Sequence, residues 1–363
     1  MQKIRVLQVG KYSLSTPGGI ENITRSIWSI SNENIDIYTY TFGSGISKSK
    51  ETLFRPLMVF GKPFSLVMFF QILFKSKMYD VIHIHDPNLQ LYPLLLFLEK
   101  NKVIVHYHCD FSQNRILSFT SKILDDIVGL SKCRVIFTSE PYRDFTLRHV
   151  RPNISNSTVI QLGICDTELN FNREFRKGTV RNILSIGRLV GYKNFGELIS
   201  AYSLHYLENT TLTICGNGIL LDDLRSQVQS LGLEDKVFIK TDLTDLEIQQ
   251  ELKSADIFVL NSTSRQEAFG VVLIEALRSG LPIVTRRILG SGVNSVNSDG
   301  ISGFVADSVD ELLSKTAVLL RDERLYTEFS LAAKKRYKYE FTEQIMNTRI
   351  IREYSCIYEG RRL

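Results

Sequence analysis

Residues 261–282 read NSTSRQEAFGVVLIEALRSGLP, with Glu267 and Glu275 eight positions apart around Phe269-Gly270. Behind that turn Val271, Val272, Leu273, Ile274, Ala276 and Leu277 are apolar on nearly every side. The pattern predicts a buried helix starting near Gly270 and stopped by Gly280 and Pro282. A carboxylate at Glu275 inside such a helix is costly unless something hydrogen-bonds to it. At about 1.5 Å of rise per residue the two acidic groups stand roughly 12 Å apart, the reach from a ribose across a diphosphate to a sugar. The helix N-terminus between them offers free backbone N–H groups to phosphate.

Outward from this stretch, short β-branched runs alternate with helical segments. IRVLQVG (4–10), IDIYTY (35–40), VIHIH (81–85), VIVHYH (103–108) and RVIFTS (134–139) form one series. NILSIGRL (182–189), TLTICG (211–216), VFIK (237–240), DIFVLNS (256–262) and PIVT (282–285) form a second. Strand, helix, strand in alternation predicts an α/β fold with parallel sheets covered by helices. Two Rossmann-like halves, 1–168 and 169–340, are expected, joined near residue 170. Ligands bind beyond the carboxyl ends of parallel strands, so two facing sheets would place the site in a cleft between the halves.

Bulk properties narrow the class. A chain of 363 residues, 44% hydrophobic and 23% charged, is globular and long enough for two domains. A net charge of +5, with basic clusters at Arg286-Arg287, Lys334-Lys335-Arg336 and Arg361-Arg362, favours phosphates or lipid headgroups over nucleic acid. Five scattered cysteines without C-x-x-C indicate neither a disulfide framework nor a zinc site, and they fit a reducing, cytoplasmic compartment. MQKIRVLQVG reads as a strand, lacking the features of a signal peptide. FSLVMFFQILF (64–74) is about half of what a spanning helix needs. It fits a buried helix or one lying on an anionic membrane surface, and its lack of a charged face favours the buried reading.

The residues able to carry chemistry follow strands. Gly18-Gly19, in GKYSLSTPGGIENITRSIWSI (10–30), let the backbone approach a phosphate at a helix start, where a plain turn is the competing reading. No G-x-G-x-x-G occurs, which removes the main support for a nicotinamide or flavin enzyme. In VIVHYHCD, period-two alternation puts Ile104, His106 and His108 on one face, with His108 and Asp110 at the carboxyl end. A histidine there can hydrogen-bond a sugar hydroxyl or phosphate and tune its charge near neutral pH. His83, His85 and Asp86 end the neighbouring strand; His83 reads as structural, and no metal is expected in the absence of a committed ligand set. Arg188 and Lys193, each soon after a glycine (Gly187, Gly191), can neutralise a diphosphate leaving group. Gly216-Asn217-Gly218 is a further turn for close approach. No D-x-D occurs, so side-chain cations would stand in for a divalent ion.

Taken together, Pro17-Gly18-Gly19 with Glu21, YDVIHIHDPN (79–88), HYHCDF (106–111), QLGI (161–164), SIGRLVGYKN (185–194), CGNG (215–218) and EAFGVVLIEALRSGLPIV (267–284) resemble the retaining glycosyltransferases of family 4, and bacterial polysaccharide and O-antigen transferases among them. The resemblance implies a GT-B fold, with a closing helix in 341–363 that returns to the first domain. It implies that Arg188 and Lys193 hold the diphosphate and Glu267 the sugar hydroxyls. Phe269, Gly270 and Val271 would present backbone to sugar and phosphate, and Glu275 would hold the ribose. His108 would face the donor sugar near its reacting carbon, and Gly19 would donate to phosphate. Thr241-Asp242 departs from the glycine that relatives often carry after the strand ending at Lys240.

The resulting expectation is a metal-independent hexosyltransferase without a cofactor. It takes a GDP- or UDP-linked sugar, mannose first among them, to a glycan or polyprenyl-diphosphate-linked acceptor, in peripheral contact with the inner membrane face. Acceptor contacts are expected in 40–75 and 109–120. A sugar-nucleotide epimerase or phosphorylase, or a catalytically silent sugar-nucleotide-binding subunit, are the alternatives; the intact set His108, Arg188, Lys193, Glu267 and Glu275 argues against the silent subunit.

Overall fold

The two series of β-branched runs form two separate parallel sheets. In the computed structural model the first contains β1 (Ile4–Tyr12), β2 (Ile35–Phe42), β3 (Glu51–Phe54), β6 (Val81–Asp86), β7 (Val103–Tyr107), β8 (Arg134–Phe137) and β9 (Ser157–Val159), in the order β3-β2-β1-β6-β7-β8-β9. The second contains β10 (Arg181–Ile186), β11 (Thr210–Cys215), β12 (Val237–Lys240), β13 (Ile257–Leu260), β14 (Ile283–Arg286) and β15 (Gly303–Ala306), in the order β12-β11-β10-β13-β14-β15. A short antiparallel hairpin, β4 (Leu57–Val59) and β5 (Lys62–Phe64), completes the strands. Strands β6, β7 and β13 are buried along their whole length, as sheets covered on both faces require. In each sheet the first strand in sequence lies between two parallel neighbours, so the winding direction reverses there: β1 against β6, and β10 against β13.

The described residues are 3–16, 18–31, 34–44, 49–59, 62–88, 91–109, 130–150, 154–166, 173–205 and 207–360. Pro17, Asp110, Phe111, the expected boundary at 168/169 and most of the 109–120 acceptor segment lie outside them. By its contacts the chain divides into unit 1, Met1–Cys165 with Thr342–Leu363, and unit 2, Asp166–Phe341. The closing helix Glu343–Gly360 is part of unit 1: Glu353 accepts a forked hydrogen bond from Arg134 (2.7 and 3.1 Å), and Tyr354 Oη lies 2.7 Å from His83 Nδ1.

The Val271–Arg278 helix forms as its sequence predicts. Gly270 caps it with φ 79°, and Gly280 leaves it with φ 66°. Gly280 N–H bonds to the Leu277 carbonyl and Leu281 N–H to that of Ala276, the paired closure that a left-handed glycine permits. A hub that the sequence does not announce holds the far end of unit 2. Asp256 pairs with Arg176 and Arg181, and Arg173 donates to the carbonyls of Leu252 (2.8 Å) and Ser279 (3.1 Å), the latter at the C-terminus of the same helix.

One expectation is overturned. The Leu66–Lys75 helix is not enclosed: Met68, Phe69 and Ile72 are buried, while Leu66, Val67, Phe70 and Phe74 face outward. The basic run of the Glu323–Glu340 helix is partly structural. Arg336 donates to the Ser295 carbonyl and to Glu340, and Lys334 packs on Gly280.

Candidate active site

Because the winding of the second sheet reverses between β10 and β13, the loops that follow Ile186 and Leu260 lie side by side. This joins residues that are 74 positions apart: the Lys193 ammonium forms an ion pair with the Glu267 carboxylate, and both side chains are buried. Ser262 Oγ donates to the same carboxylate (3.1 Å), Ser291 Oγ donates to the Glu267 carbonyl, and Thr263 N–H donates to the Tyr192 carbonyl (3.0 Å). A buried pair of this kind is secure only while both partners stay, since either alone leaves an uncompensated charge. Gly187 makes room for the cation, because a Cβ there would come within 2.8 Å of Lys193 Cε. Gly216 (φ 149°) and Gly218 serve backbone packing: a side chain at either would strike the carbonyl of Gly187 or Leu189, and Leu189 N–H bonds to the Asn217 carbonyl (2.9 Å). Arg188 stays exposed on this loop, with Nη2 3.4 Å from Tyr192 Oη.

Beyond Gly270 the first N–H groups of the helix at Val271 have no partner within the helix, as at every helix start. Phe269 is buried edge-on to Phe341, with ring centroids 6.2 Å apart. Glu275, one helical turn and more below, is half-buried, and no protein donor among the described residues hydrogen-bonds its carboxylate. Burial pushes that carboxyl up to about 7, with Arg278 opposing. At the departure noted after Lys240, Asp242 adopts the left-handed conformation itself (φ 55°) and exchanges two 3.0 Å hydrogen bonds with the Asn217 side chain.

Unit 1 fills its corresponding point with neutral rings. Gly18 caps the Gly19–Trp28 helix, and a side chain there would collide with the Glu21 carboxylate. On the face shared by β6 and β7, His83, His85, His106 and His108 stack at centroid separations of 4.2 to 5.6 Å, all buried. Burial lowers the ring of His108 to about 3 and that of His83 likewise. This corrects the expectation that His108 tunes its charge near neutral pH; it stays uncharged there.

The hydrogen bonds also fix which nitrogen of His108 carries the proton. Gln8 accepts from Thr39 Oγ1 (3.0 Å) and donates to the Thr24 carbonyl (3.1 Å), so its amide nitrogen is the atom facing His85 Nε2 at 2.9 Å. His85 Nε2 therefore accepts, His85 Nδ1–H donates to His108 Nε2 (2.8 Å), and His108 is left presenting Nδ1–H. That N–H has no protein acceptor among the described residues. Gln8 was passed over in the sequence; its signal is a lone amide among the buried apolar residues Val6, Leu7 and Val9 of β1.

His83, His85 and His106 bring ring nitrogens within 4.8 Å of one another, the one group of possible metal ligands among the described residues. Their rings lie nearly parallel, 14 to 28° apart, which directs the in-plane lone pairs alongside each other instead of at a common point.

Comparison with known proteins gives the fold and a set of similar chains. The fold is GT-B: the chain superposes on the Anabaena protein Alr3699/HepE, crystallised with UDP, with a TM-score of 0.74 over 97% of this chain and 100% of that one, at 17% identity. Residues 166–336, a little under half of the chain and nearly all of unit 2, match the family described as Glycosyl transferases group 1. The chain is 23% identical to the O-antigen chain mannosyltransferase C of Escherichia coli, covering 99% of this chain and 100% of the relative. It is 27% identical to the D-rhamnosyltransferase WbpZ of Pseudomonas aeruginosa, covering 93% and 92%.

Proposed function

We propose that the protein is a retaining hexosyltransferase that moves a sugar from a nucleoside diphosphate to a polyprenyl-diphosphate-linked glycan in bacterial surface polysaccharide synthesis. The observation that carries this reading is the buried Lys193–Glu267 pair at the reversal of the second sheet, with the unpartnered Glu275 carboxylate on the helix behind it. Glu275 takes the ribose hydroxyls, which supply the hydrogen bonds its carboxylate lacks. Arg188 and Lys193 meet the charge that grows on the diphosphate as the glycosidic bond breaks, so no divalent metal is needed. Glu267, held by Ser262 and Lys193, accepts from the sugar hydroxyls, and the backbone of Phe269, Gly270 and Val271 donates to sugar and phosphate. Gly18 and Gly19 bring backbone close to phosphate, and Gly187 and Gly216 shape the loops that carry Lys193 and Asn217. His108, neutral and donating through Nδ1–H, holds a hydroxyl near the reacting carbon.

The acceptor oxygen attacks from the side the diphosphate leaves, and the departing phosphate takes its proton, so retention follows without a separate base. The relatives named above are an O-antigen chain mannosyltransferase and a D-rhamnosyltransferase by name, which favours mannose as the sugar; a GDP-linked donor ahead of a UDP-linked one rests on the family resemblance. The test is transfer from GDP- and UDP-linked hexoses to a polyprenyl-diphosphate glycan, with the product anomer read by NMR. An axial product from an axial donor supports the reading. An inverted anomer, or hydrolysis with no acceptor product from any donor, overturns it.

A further inference from the structure

We propose that Glu197 is a positioning residue that holds the loops of Lys193 and Glu267 in register through a tie the donor does not touch. The inference rests on the preceding reading of that pair and adds the residue that keeps it in place. Glu197 stands in the first turn of the Phe195–Leu204 helix, and its Oε2 accepts from three side chains: Asn194 Nδ2, Asn261 Nδ2 (3.2 Å) and Arg286 Nη1. Asn261 Nδ2 also donates to the Asn194 carbonyl (3.1 Å). These partners come from three places along the sheet edge. Asn194 follows Lys193 beyond β10, Asn261 precedes Ser262 beyond β13, and Arg286 ends β14. Arg286 lies 89 positions from Glu197 in the chain, so the sheet order brings them together.

Two of the three ties sit one residue from the site. Asn194 adopts a left-handed φ of 56°, and its side chain turns to Glu197 instead of capping its own helix. Asn261 is buried beside Ser262, whose hydroxyl donates to the Glu267 carboxylate. The Arg286-Arg287 cluster is thereby divided between two carboxylates, since Arg287 bonds to Asp307 (2.6 Å). Under the transferase reading Lys193 meets the diphosphate and Glu267 the sugar, so each shares its charge with the donor and their mutual pair weakens. The loops then need a tie made by other groups. A charge-assisted bond from Arg286 and two amide donors, all on one carboxylate oxygen, supply it. Loops fixed beforehand need no rearrangement as charge develops, so Glu197 acts on the chemical step more than on donor binding.

The experiment compares the full chain with Glu197→Ala, Arg286→Ala and the double variant, after melting curves show that each is folded at the assay temperature. Hydrogen exchange read by mass spectrometry should be faster in Glu197→Ala over both 188–196 and 261–268, and unchanged over 211–240. Transfer kcat should fall by about tenfold or more, while affinity for GDP or UDP by calorimetry stays within about threefold. The double variant should lose no more than Glu197→Ala alone, because the two residues act as one unit. Glu197→Gln, the same shape without the charge that holds Arg286, should show both effects at a smaller size, and it decides the matter if Glu197→Ala does not fold. Parental exchange at either loop overturns the proposal. Faster exchange with parental kcat reduces the network to a stability device, and an equal loss of kcat and nucleotide affinity puts Glu197 in contact with the donor; each overturns it as well. A parent that transfers no sugar counts against the transferase reading alone, and the exchange pattern still decides whether Glu197 ties the two loops.

Discussion

The two units wind their sheets in the same order, yet treat the point of reversal in opposite ways. Unit 2 places formal charge there, a buried lysine and glutamate held by serine hydroxyls, with Arg188 exposed beside them. Unit 1 places four imidazoles that burial keeps neutral, linked to Gln8, Thr39 and Tyr354. Topology supplies the position and the side chains supply the chemistry. Charges suit a diphosphate whose negative charge grows in the reaction, whereas a neutral donor wall suits uncharged hydroxyls and raises no competing field.

Breaking the charged half should have the largest effect. Lys193→Ala removes the proposed diphosphate contact and leaves Glu267 buried without its partner. Activity should fall by about a thousandfold or more, and stability by about 3–5 kcal/mol, read by steady-state kinetics and denaturant unfolding. Replacing Glu267 by Gln at the same time should restore much of the stability and none of the activity.

Glu275→Gln comes next, with an expected loss of about a hundredfold in kcat/KM and no loss of stability. Its carboxyl is raised above the ordinary value, to about 7, so the folded state carries the extra proton between the ordinary carboxylate range and 7. Stability from this group is therefore present at low pH and declines as pH rises through 7. Ribose hydroxyls prefer the ionised acceptor, so KM for donor in the parent should fall across pH 6–8, and the inflection should vanish in Glu275→Gln.

The neutral half is sharpened by Gln8→Met. Without the amide, nothing fixes His85 Nε2 as an acceptor, and His108 should become a mixture of ring tautomers. Nitrogen-15 ring shifts report this directly; a parent His108 protonated at Nε2 would contradict the relay. The expected kinetic effect is about tenfold in kcat with KM for donor little changed.

His106→Leu should have the smallest effect at neutral pH, because neither ring nitrogen of His106 has a protein partner among the described residues. Melting temperature near pH 7.5 should stay level or rise. Burial holds His83 and His108 near 3 and lowers His85 and His106, so the unfolded chain binds more protons between about 3 and 6.5. Stability is complete above about 6.5 and declines as pH falls, and removing one imidazole should make that decline shallower in melts from pH 7.5 to 4.5.

Much of this was legible in the sequence because it is local. The apolar run after Gly270, the Gly280 stop and the ten expected strands are periodic signals that tertiary structure did not override. Strands β3 (ETLF), β9 (STV) and β15 (GFVA) were not legible because polar Glu51, Thr52, Ser157 and Thr158 and the glycine Gly303 interrupt the β-branched apolar runs that mark the other four-residue strands. The Lys193–Glu267 pair and the Arg173–Asp256 hub depend on sheet order, which residue spacing does not encode. The Leu66–Lys75 helix misled for a different reason: an apolar residue left on the surface reads the same as one destined for a core. Asp242, read in the sequence as a departure from the family's glycine, fills that place by tolerating the left-handed conformation and bonding to Asn217.

The most direct test of the central claim is a thermal-shift panel of GDP, UDP and ADP with their hexose conjugates, with and without magnesium, on the parent, Lys193→Ala and Glu275→Gln. Binding to the folded state raises the melting temperature by mass action. One nucleotide series should stabilise the parent irrespective of magnesium and fail to stabilise either variant. A shift of equal size in both variants, or none in the parent with any nucleotide, would contradict the assignment of the donor site to the loops and helix of unit 2.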